Sequence, residues 1–143
     1  MSIFKPYLYG AYGSNLNKAQ MRYRCPEALP CETLVLNDHA LVFRGVADIE
    51  EVRGQSVALG LWMITEQCER ALDRYEGFPH LYTKQFIDTD AGQVMVYTMC
   101  DQTDVHPPTY NYLASICKGY DDFAIDRALI KTALDHSYMK QAI

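Results

Sequence analysis

A chain of 143 residues, 49 % hydrophobic and 22 % charged, has the size and composition of one globular domain, so we expect residues 1–143 to form a single domain. The formal net charge of −5 argues against a nucleic-acid-binding protein, which needs a basic face to displace counterions. Residues 1–6 contain no long apolar segment, so we expect neither a signal peptide nor a membrane span.

The cysteines and histidines favour a reduced protein without a structural metal. The chain has five cysteines, an odd number, and no two of them form a CxxC pair. None of the four histidines stands near a cysteine at a spacing typical of metal sites. We therefore expect a cytoplasmic protein that binds no metal.

The chain begins with a predicted buried strand and a short helix. Apolar residues dominate positions 5–12, which predicts the strand. A helix is predicted over residues 17–23, and it must end before Pro26 because proline disfavours helix in the residue that precedes it. Residues 26–30 are predicted to form a loop.

Several strands are predicted next, over residues 33–36, 40–43, 47–51 and 56–63. Asn37-Asp38 predicts a tight turn between the first two, and residues 53–55 predict another turn. The strand over 56–63 is apolar on both faces, so we expect it to be central in a sheet. Gly60 in its middle indicates that backbone or ligand comes close there.

A helix is predicted from Thr65, which can cap it, to Gly77, which fits its C-terminal end. A hairpin is predicted over residues 82–88 and 93–99, with its turn at 90–92. Strands and helices therefore do not alternate regularly, which indicates an α+β protein with much antiparallel pairing.

Two further helices are predicted after the prolines at 107 and 108. The first is capped by Thr109, runs through residue 118 and is closed by Gly119, and a turn follows at 121–122. Apolar residues then recur with helical period between positions 125 and 134, which predicts the last helix.

The segment at residues 13–15 has two interpretations. Gly13, Ser14 and Asn15 follow the first strand and precede a helix, so backbone N–H groups there can point at one spot and receive an anion or a polarised carbonyl oxygen. The alternative is a plain strand-to-helix turn, because turn chemistry alone explains glycine and asparagine at these positions.

Glu76 also has two interpretations. It lies in the last turn of its helix, where the helix dipole disfavours an anion, and it is flanked by Tyr75 and Phe78. Both effects predict a raised pKa, which suits a general base or acid near neutrality. The alternative is an exposed glutamate at a frayed helix end.

Three segments together resemble the γ-glutamyl cyclotransferase (AIG2-like) family. Residues 9–16 (YGAYGSNL) are similar to its glycine-loop signature, and residues 72–79 (LDRYEGFP) resemble the segment that holds its catalytic glutamate. Residues 107–120, which contain YLASICKGY, resemble its late helix. The resemblance implies a small closed β-barrel of mixed strand direction, flanked by helices, with a pocket at one mouth.

The same resemblance implies the chemistry and the site. The family's enzymes close a γ-glutamyl group onto its own α-amine, which releases 5-oxoproline and an amine or amino acid and requires no metal, cofactor or protein nucleophile. Glu76 is the implied catalytic acid and base. The implied substrate-binding residues are Tyr12, Gly13, Ser14, Asn15, Leu16, Tyr82 and Tyr112. The implied partner is a small γ-glutamyl compound, bound by a monomer or a homodimer.

Other possibilities stay open at this point. The same pocket could hold a carboxylate ligand without turnover, or the chain could be an interaction protein with a vestigial pocket. Arg22, Arg24 and Arg44 could each bind a substrate carboxylate through two parallel hydrogen bonds, but a solvated surface position is the commoner fate of an arginine.

Overall fold

β1 (Tyr7–Ala11) is the middle strand of a five-stranded sheet in the computed structural model, which describes residues 6–141. The other strands are β2 (Leu29–Phe43), β3 (Ala47–Ile64), β4 (Tyr82–Thr89) and β5 (Gly92–Met99). In the order β2-β3-β1-β5-β4, β1 runs antiparallel to β3 and parallel to β5. The sheet is therefore mixed in direction, as expected. Because β1 is its middle strand, the segment after Ala11 begins at the middle of the sheet.

Within residues 6–141, four helices and one short turn flank the sheet. They are the 3-10 turn Ser14–Leu16, α1 (Lys18–Arg24), α2 (Glu66–Glu76), α3 (Tyr110–Asp122) and α4 (Ala128–Gln141). The α+β class predicted from the sequence is confirmed. None of these helices, within residues 6–141, is long and apolar enough to cross a membrane.

The predicted turns at Asn37-Asp38 and at residues 53–55 are wrong, because β2 and β3 run through both positions as one long hairpin. The pairing passes from Asn37 opposite Ser56 to His39 opposite Glu51, so β3 carries extra residues there. Asp38 and Gly54 both adopt positive φ angles, of 59° and 86°. The N–H of Gly54 donates to Oδ1 of Asp38 at 2.9 Å, so the turn-forming residues build a bulge inside the hairpin.

The expected closed barrel is also wrong. β2 and β4 are the two edges of the sheet, and they do not pair with each other in the part of the chain that the structure describes. Side chains link the start of β3 to the end of β5 and to the segment after it. The N–H of Met99 donates to Oδ1 of Asp48 at 2.9 Å, and Nε2 of Gln102 donates to the carbonyl oxygen of Ile49 at 2.9 Å. Because no backbone ladder joins the two edge strands within residues 6–141, the sheet stays open.

The predicted ends of α2 are confirmed and the predicted end of α3 is not. Thr65 caps α2 through the N–H of Cys68, and Gly77 ends it in the left-handed conformation with φ of 69°. Gly119, by contrast, lies inside α3, which continues through the predicted turn at 121–122. A Cβ at Gly119 would lie 2.5 Å from Cβ of Leu16, so this glycine permits close packing of α3 on the 3-10 turn.

The close approach predicted at Gly60 is confirmed, and side chains make it. A Cβ at Gly60 would lie 2.4 Å from Cδ2 of Leu16 and 2.9 Å from the ring of Phe123. Leu16 is fully buried between Gly60 of β3 and Gly119 of α3. These two glycines therefore fix the position of the 3-10 turn against the sheet.

Candidate active site

A cavity of about 190 Å³ opens where the segment after β1, the end of α2 and the start of α3 meet. Its wall is formed by Tyr9, Tyr12, Gly13, Ser14, Asn15, Val46, Ala47, Tyr75, Glu76, Leu81, Tyr82 and Tyr112. Among these residues Glu76 is the only one that carries a carboxyl group, and none is a lysine or arginine. Five tyrosines are the only aromatic residues of this wall, and the wall places one acid in an otherwise uncharged cavity.

The 3-10 turn after β1 is held rigidly on one side of the cavity. The N–H of Leu16 donates to the carbonyl oxygen of Gly13 at 3.0 Å, and Nε1 of Trp62 donates to the carbonyl oxygen of Asn15 at 3.0 Å. A Cβ at Gly13 would lie 3.1 Å from the hydroxyl of Tyr112, so only glycine leaves this approach undisturbed. The backbone of the turn is thus fixed before any ligand arrives.

Glu76 faces that turn from the last position of α2. Its Oε1 accepts a hydrogen bond from Nδ2 of Asn15 at 3.2 Å. Burial raises the pKa of the Glu76 carboxyl to about 7, and the positive charge of Arg24 partly opposes that rise. The raised pKa predicted from the sequence is confirmed, and burial is its main cause.

Backbone groups of Ala47 hold two of the tyrosines in the wall. The hydroxyl of Tyr112 accepts from the N–H of Ala47 at 3.0 Å, and the hydroxyl of Tyr82 donates to the carbonyl oxygen of Ala47 at 2.6 Å. A third wall tyrosine, Tyr12, donates to the carbonyl oxygen of Tyr97 at 2.6 Å. Burial raises the pKa of all three hydroxyls, so they are neutral at physiological pH.

Residues 9–114 match the sequence model of the family described as gamma-glutamyl cyclotransferase, AIG2-like. This match covers most of the chain and includes both the turn and Glu76. The chain belongs to the gamma-glutamyl cyclotransferase, AIG2-like family. The resemblance noted from the three sequence segments is thereby confirmed. No curated protein matches the chain at a significant level.

Solved structures have the same fold as this family member. A protein described as gamma-glutamyl cyclotransferase superposes with a TM-score of 0.74 at 24 % identity, over 97 % of this chain and 88 % of that one. An uncharacterized protein from Homo sapiens gives 0.74 at 24 % identity, over 96 % and 88 %. YkqA from Bacillus subtilis gives 0.77 at 20 % identity, over 94 % of this chain and 55 % of that one. At these identities the likeness concerns the fold.

Most of the residues that the sequence nominates lie in one wall of this family member's cavity. Glu76 lies there together with Tyr12, Gly13, Ser14, Asn15, Tyr82 and Tyr112. Leu16 is the exception, because its side chain does not line the cavity. That side chain is fully buried against the positions of Gly60 and Gly119, so it supports the turn from behind.

Several wall residues and two arginines differ from what the sequence predicts. Val46, Ala47 and Leu81 line the cavity without any sequence signal that marks them, and Tyr75 was noted only as an aromatic neighbour of Glu76. The hydroxyl of Tyr75 lies 2.8 Å from Oγ of Ser14, which joins α2 to the turn. Arg44 is a buried ion-pair partner of Asp48 and Glu50, and Arg24 stands behind the wall.

No three His, Cys, Asp or Glu side chains converge on a possible metal site within residues 6–141.

Proposed function

We propose that this protein is a γ-glutamyl cyclotransferase that converts a γ-glutamyl amino acid or amine into 5-oxoproline. The α-amine nitrogen of the substrate attacks its own γ-carbonyl carbon, and a C–N bond forms that closes a five-membered lactam. The bond from the γ-carbon to the attached nitrogen then breaks. Because nucleophile and electrophile belong to one molecule, the protein must mainly hold the chain in the attacking conformation.

One observation carries this proposal: the carboxyl group of Glu76 faces an uncharged cavity and has a pKa of about 7. A group with this pKa both accepts and returns a proton efficiently near neutrality. In the proposed reaction Glu76 removes a proton from the α-amine and delivers one to the leaving nitrogen. One side chain thus accepts the proton and returns it, so the reaction needs no second acid or base.

The turn at residues 13–15 supplies the second part of the proposed site. Negative charge develops on the γ-carbonyl oxygen during the attack, and fixed hydrogen-bond donors stabilise that charge because they need no reorganisation. The turn is held by Trp62 and by its own backbone hydrogen bond to Leu16. We propose that its backbone N–H groups, with the hydroxyl of Tyr112, receive the oxygens of the γ-glutamyl group.

The test is a 5-oxoproline assay with γ-glutamyl-alanine, γ-glutamyl-lysine and glutathione as substrates, run beside calorimetry with the same compounds. Product from at least one compound, in molar balance with the released amine or amino acid, is the expected result. Tight binding without product would instead identify a binding protein that uses the same cavity. Neither product nor binding across the panel would contradict the proposal.

A further inference from the structure

Arg24, the last residue of α1, stands directly behind the cavity wall. Its Nη1 donates to Oδ1 of Asn15 at 2.6 Å, and its Nη2 donates to Oε1 of Gln20 at 2.8 Å. The guanidinium group also covers the ring of Tyr75, at 3.5 Å from the ring centroid. Both terminal nitrogens are thus engaged within the protein, so Arg24 is poorly placed to bind a substrate carboxylate.

The contact with Arg24 decides which way the side-chain amide of Asn15 points. A guanidinium group has only donors, so it must face the carbonyl oxygen of that amide. The amide nitrogen then points the other way, to the hydroxyl of Tyr9 at 2.9 Å and to Oε1 of Glu76 at 3.2 Å. The reversed amide would set donor against donor at Arg24 and oxygen against carboxylate oxygen at Glu76.

We propose that Arg24 is a positioning residue, which orients the side-chain amide of Asn15 so that its nitrogen, and not its oxygen, faces the carboxyl group of Glu76. Arg24 acts through Asn15 and does not touch the substrate. The catalytic consequence rests on the proposed function of Glu76, whereas the orientation itself does not. The role is a property of three elements: α1 carries the arginine, the 3-10 turn carries the amide and α2 carries the acid.

Among the charged and titratable groups around Glu76, Arg24 is the one that carries a positive charge. The groups that face Glu76 are Tyr9 from β1, Tyr12 directly after β1, Arg24 from α1, Tyr82 from β4 and Tyr112 from α3. Burial raises the pKa of each of the four phenols, so they are neutral near pH 7. Arg24 is therefore the cation within this set, and its charge lowers the pKa of the Glu76 carboxyl. The amide nitrogen of Asn15 donates to Oε1 of Glu76, and such a hydrogen bond also favours the ionised carboxylate.

The experiment measures the titration of the Glu76 side chain by NMR in ligand-free protein with labelled glutamate. The variants are Arg24→Met, which removes charge and donors, and Arg24→Lys, which keeps the charge without the planar fork. Arg22→Met is the matched control, because Arg22 is exposed on the same helix. Each variant is also made in an Asn15→Ala background, since a double-mutant cycle isolates the part that acts through Asn15.

The expected result is an upward shift of the Glu76 titration in Arg24→Met, a smaller upward shift in Arg24→Lys and none in Arg22→Met. In the Asn15→Ala background the shift caused by Arg24→Met should be smaller. Equal shifts in both backgrounds, or no shift at all, would overturn the proposal. In an enzyme that makes 5-oxoproline, Arg24→Lys should also lower kcat with little change in KM.

The titration separates this inference from the proposed function. If the wild-type protein makes no 5-oxoproline while the titrations behave as expected, the proposed function fails and the positioning role stands. If product forms and the titrations do not respond to Arg24, the positioning role fails alone. Arg24→Lys retains the charge and most of the side-chain volume, so it keeps the test available if Arg24→Met does not fold.

Discussion

The side-chain nitrogen of Asn15 lies 3.2 Å from the carboxyl oxygen of Glu76, 61 positions away in the sequence. This contact joins the 3-10 turn after β1 to the last residue of α2. It brings the segment at residues 13–15 and Glu76 into one cavity, although the sequence alone would also allow a plain turn and an exposed helix end. A turn with fixed backbone groups and an acid with a pKa of about 7 then face the same space.

Activity should depend on pH through Glu76. The proposed reaction needs the carboxylate form to accept the amine proton, so kcat/KM should rise as pH increases through about 7, the pKa of this carboxyl group. The profile is measured between pH 5 and pH 9 with the best substrate from the panel. A rate that is constant across this interval would show that no group with this pKa takes part.

Stability should depend on the same group in the opposite direction. The pKa of Glu76 is about 7 in the folded protein against an ordinary value of 4.5, so folding favours the protonated form. Its contribution to the free energy of unfolding is complete below pH 4.5 and is lost as pH rises through 7. Glu76→Gln should therefore be more stable than wild type at pH 8, by on the order of 2 kcal/mol after allowance for partial exposure.

Urea unfolding of both proteins at pH 5 and pH 8 checks this prediction. The difference in the free energy of unfolding should be clear at pH 8 and should shrink towards pH 5. If wild type gains stability relative to Glu76→Gln as pH rises, the assigned direction of the pKa shift is wrong.

Tyr112→Phe should impair the site more than the fold. The hydroxyl accepts from the N–H of Ala47, and its loss should cost about 1 kcal/mol of stability. The substitution Tyr112→Phe also removes a polar group from the cavity wall, so kcat/KM for 5-oxoproline formation should fall. Tyr110→Phe is the control, because Tyr110 is on the same helix and 82 % exposed. Equal kcat/KM in the two variants would remove Tyr112 from the proposed site.

Gly119→Ala should destabilise the protein strongly. The added Cβ would lie 2.7 Å from the backbone nitrogen of Asn17 as well as 2.5 Å from Cβ of Leu16, and a backbone atom cannot move aside cheaply. A loss of about 2–3 kcal/mol is expected from overpacking. Thermal unfolding measures it, with the exposed Asn111→Ala on the same helix as control. A variant as stable as wild type would mean that α3 does not pack on the turn in this way.

Tyr120→Phe should stabilise the protein. The Tyr120 hydroxyl is buried and has no hydrogen-bond partner among the described residues, so its removal relieves a desolvation cost of about 1 kcal/mol. Tyr97→Phe provides the opposite case, because the Tyr97 hydroxyl donates to Oδ1 of Asp73 at 2.6 Å. Unfolding of both variants should show changes of opposite sign, and a loss of stability in Tyr120→Phe would indicate a partner for this hydroxyl.

The sequence predicts local features of this molecule well. The caps at Thr65 and Gly77 depend on the chemistry of adjacent backbone groups, and both are where the sequence indicates. The hairpin of β4 and β5 follows from the alternation of apolar residues. The interior position of the strand over 56–63 follows from its two apolar faces. The helix dipole and the aromatic neighbours of Glu76 already indicate an unusual carboxyl group, whereas most of the other predicted wall residues follow only from the resemblance to family segments.

The failures share one cause, which is that distant residues decide them. Asn37-Asp38 is a turn signal taken alone, but Asp38 meets Gly54 across the hairpin and the pair forms a bulge. Gly119 taken alone predicts a helix end, but in the structure it is a glycine because Leu16 packs against it. Arg24 resembles a surface cation until the 3-10 turn brings Asn15 to it. These contacts join residues 9 or 16 positions apart, or much farther in the case of Leu16 and Gly119, so the local propensity of a segment does not contain them.

Formation of 5-oxoproline by wild type and by Glu76→Gln, on the most active panel substrate at pH 8, decides whether Glu76 is the catalytic acid and base. Glu76→Gln keeps the shape of the side chain and can neither accept nor return the proton. We expect a fall in kcat of about 100-fold or more, with the variant folded and still able to bind substrate. Turnover by Glu76→Gln at the wild-type rate would show that Glu76 is not the catalytic acid and base.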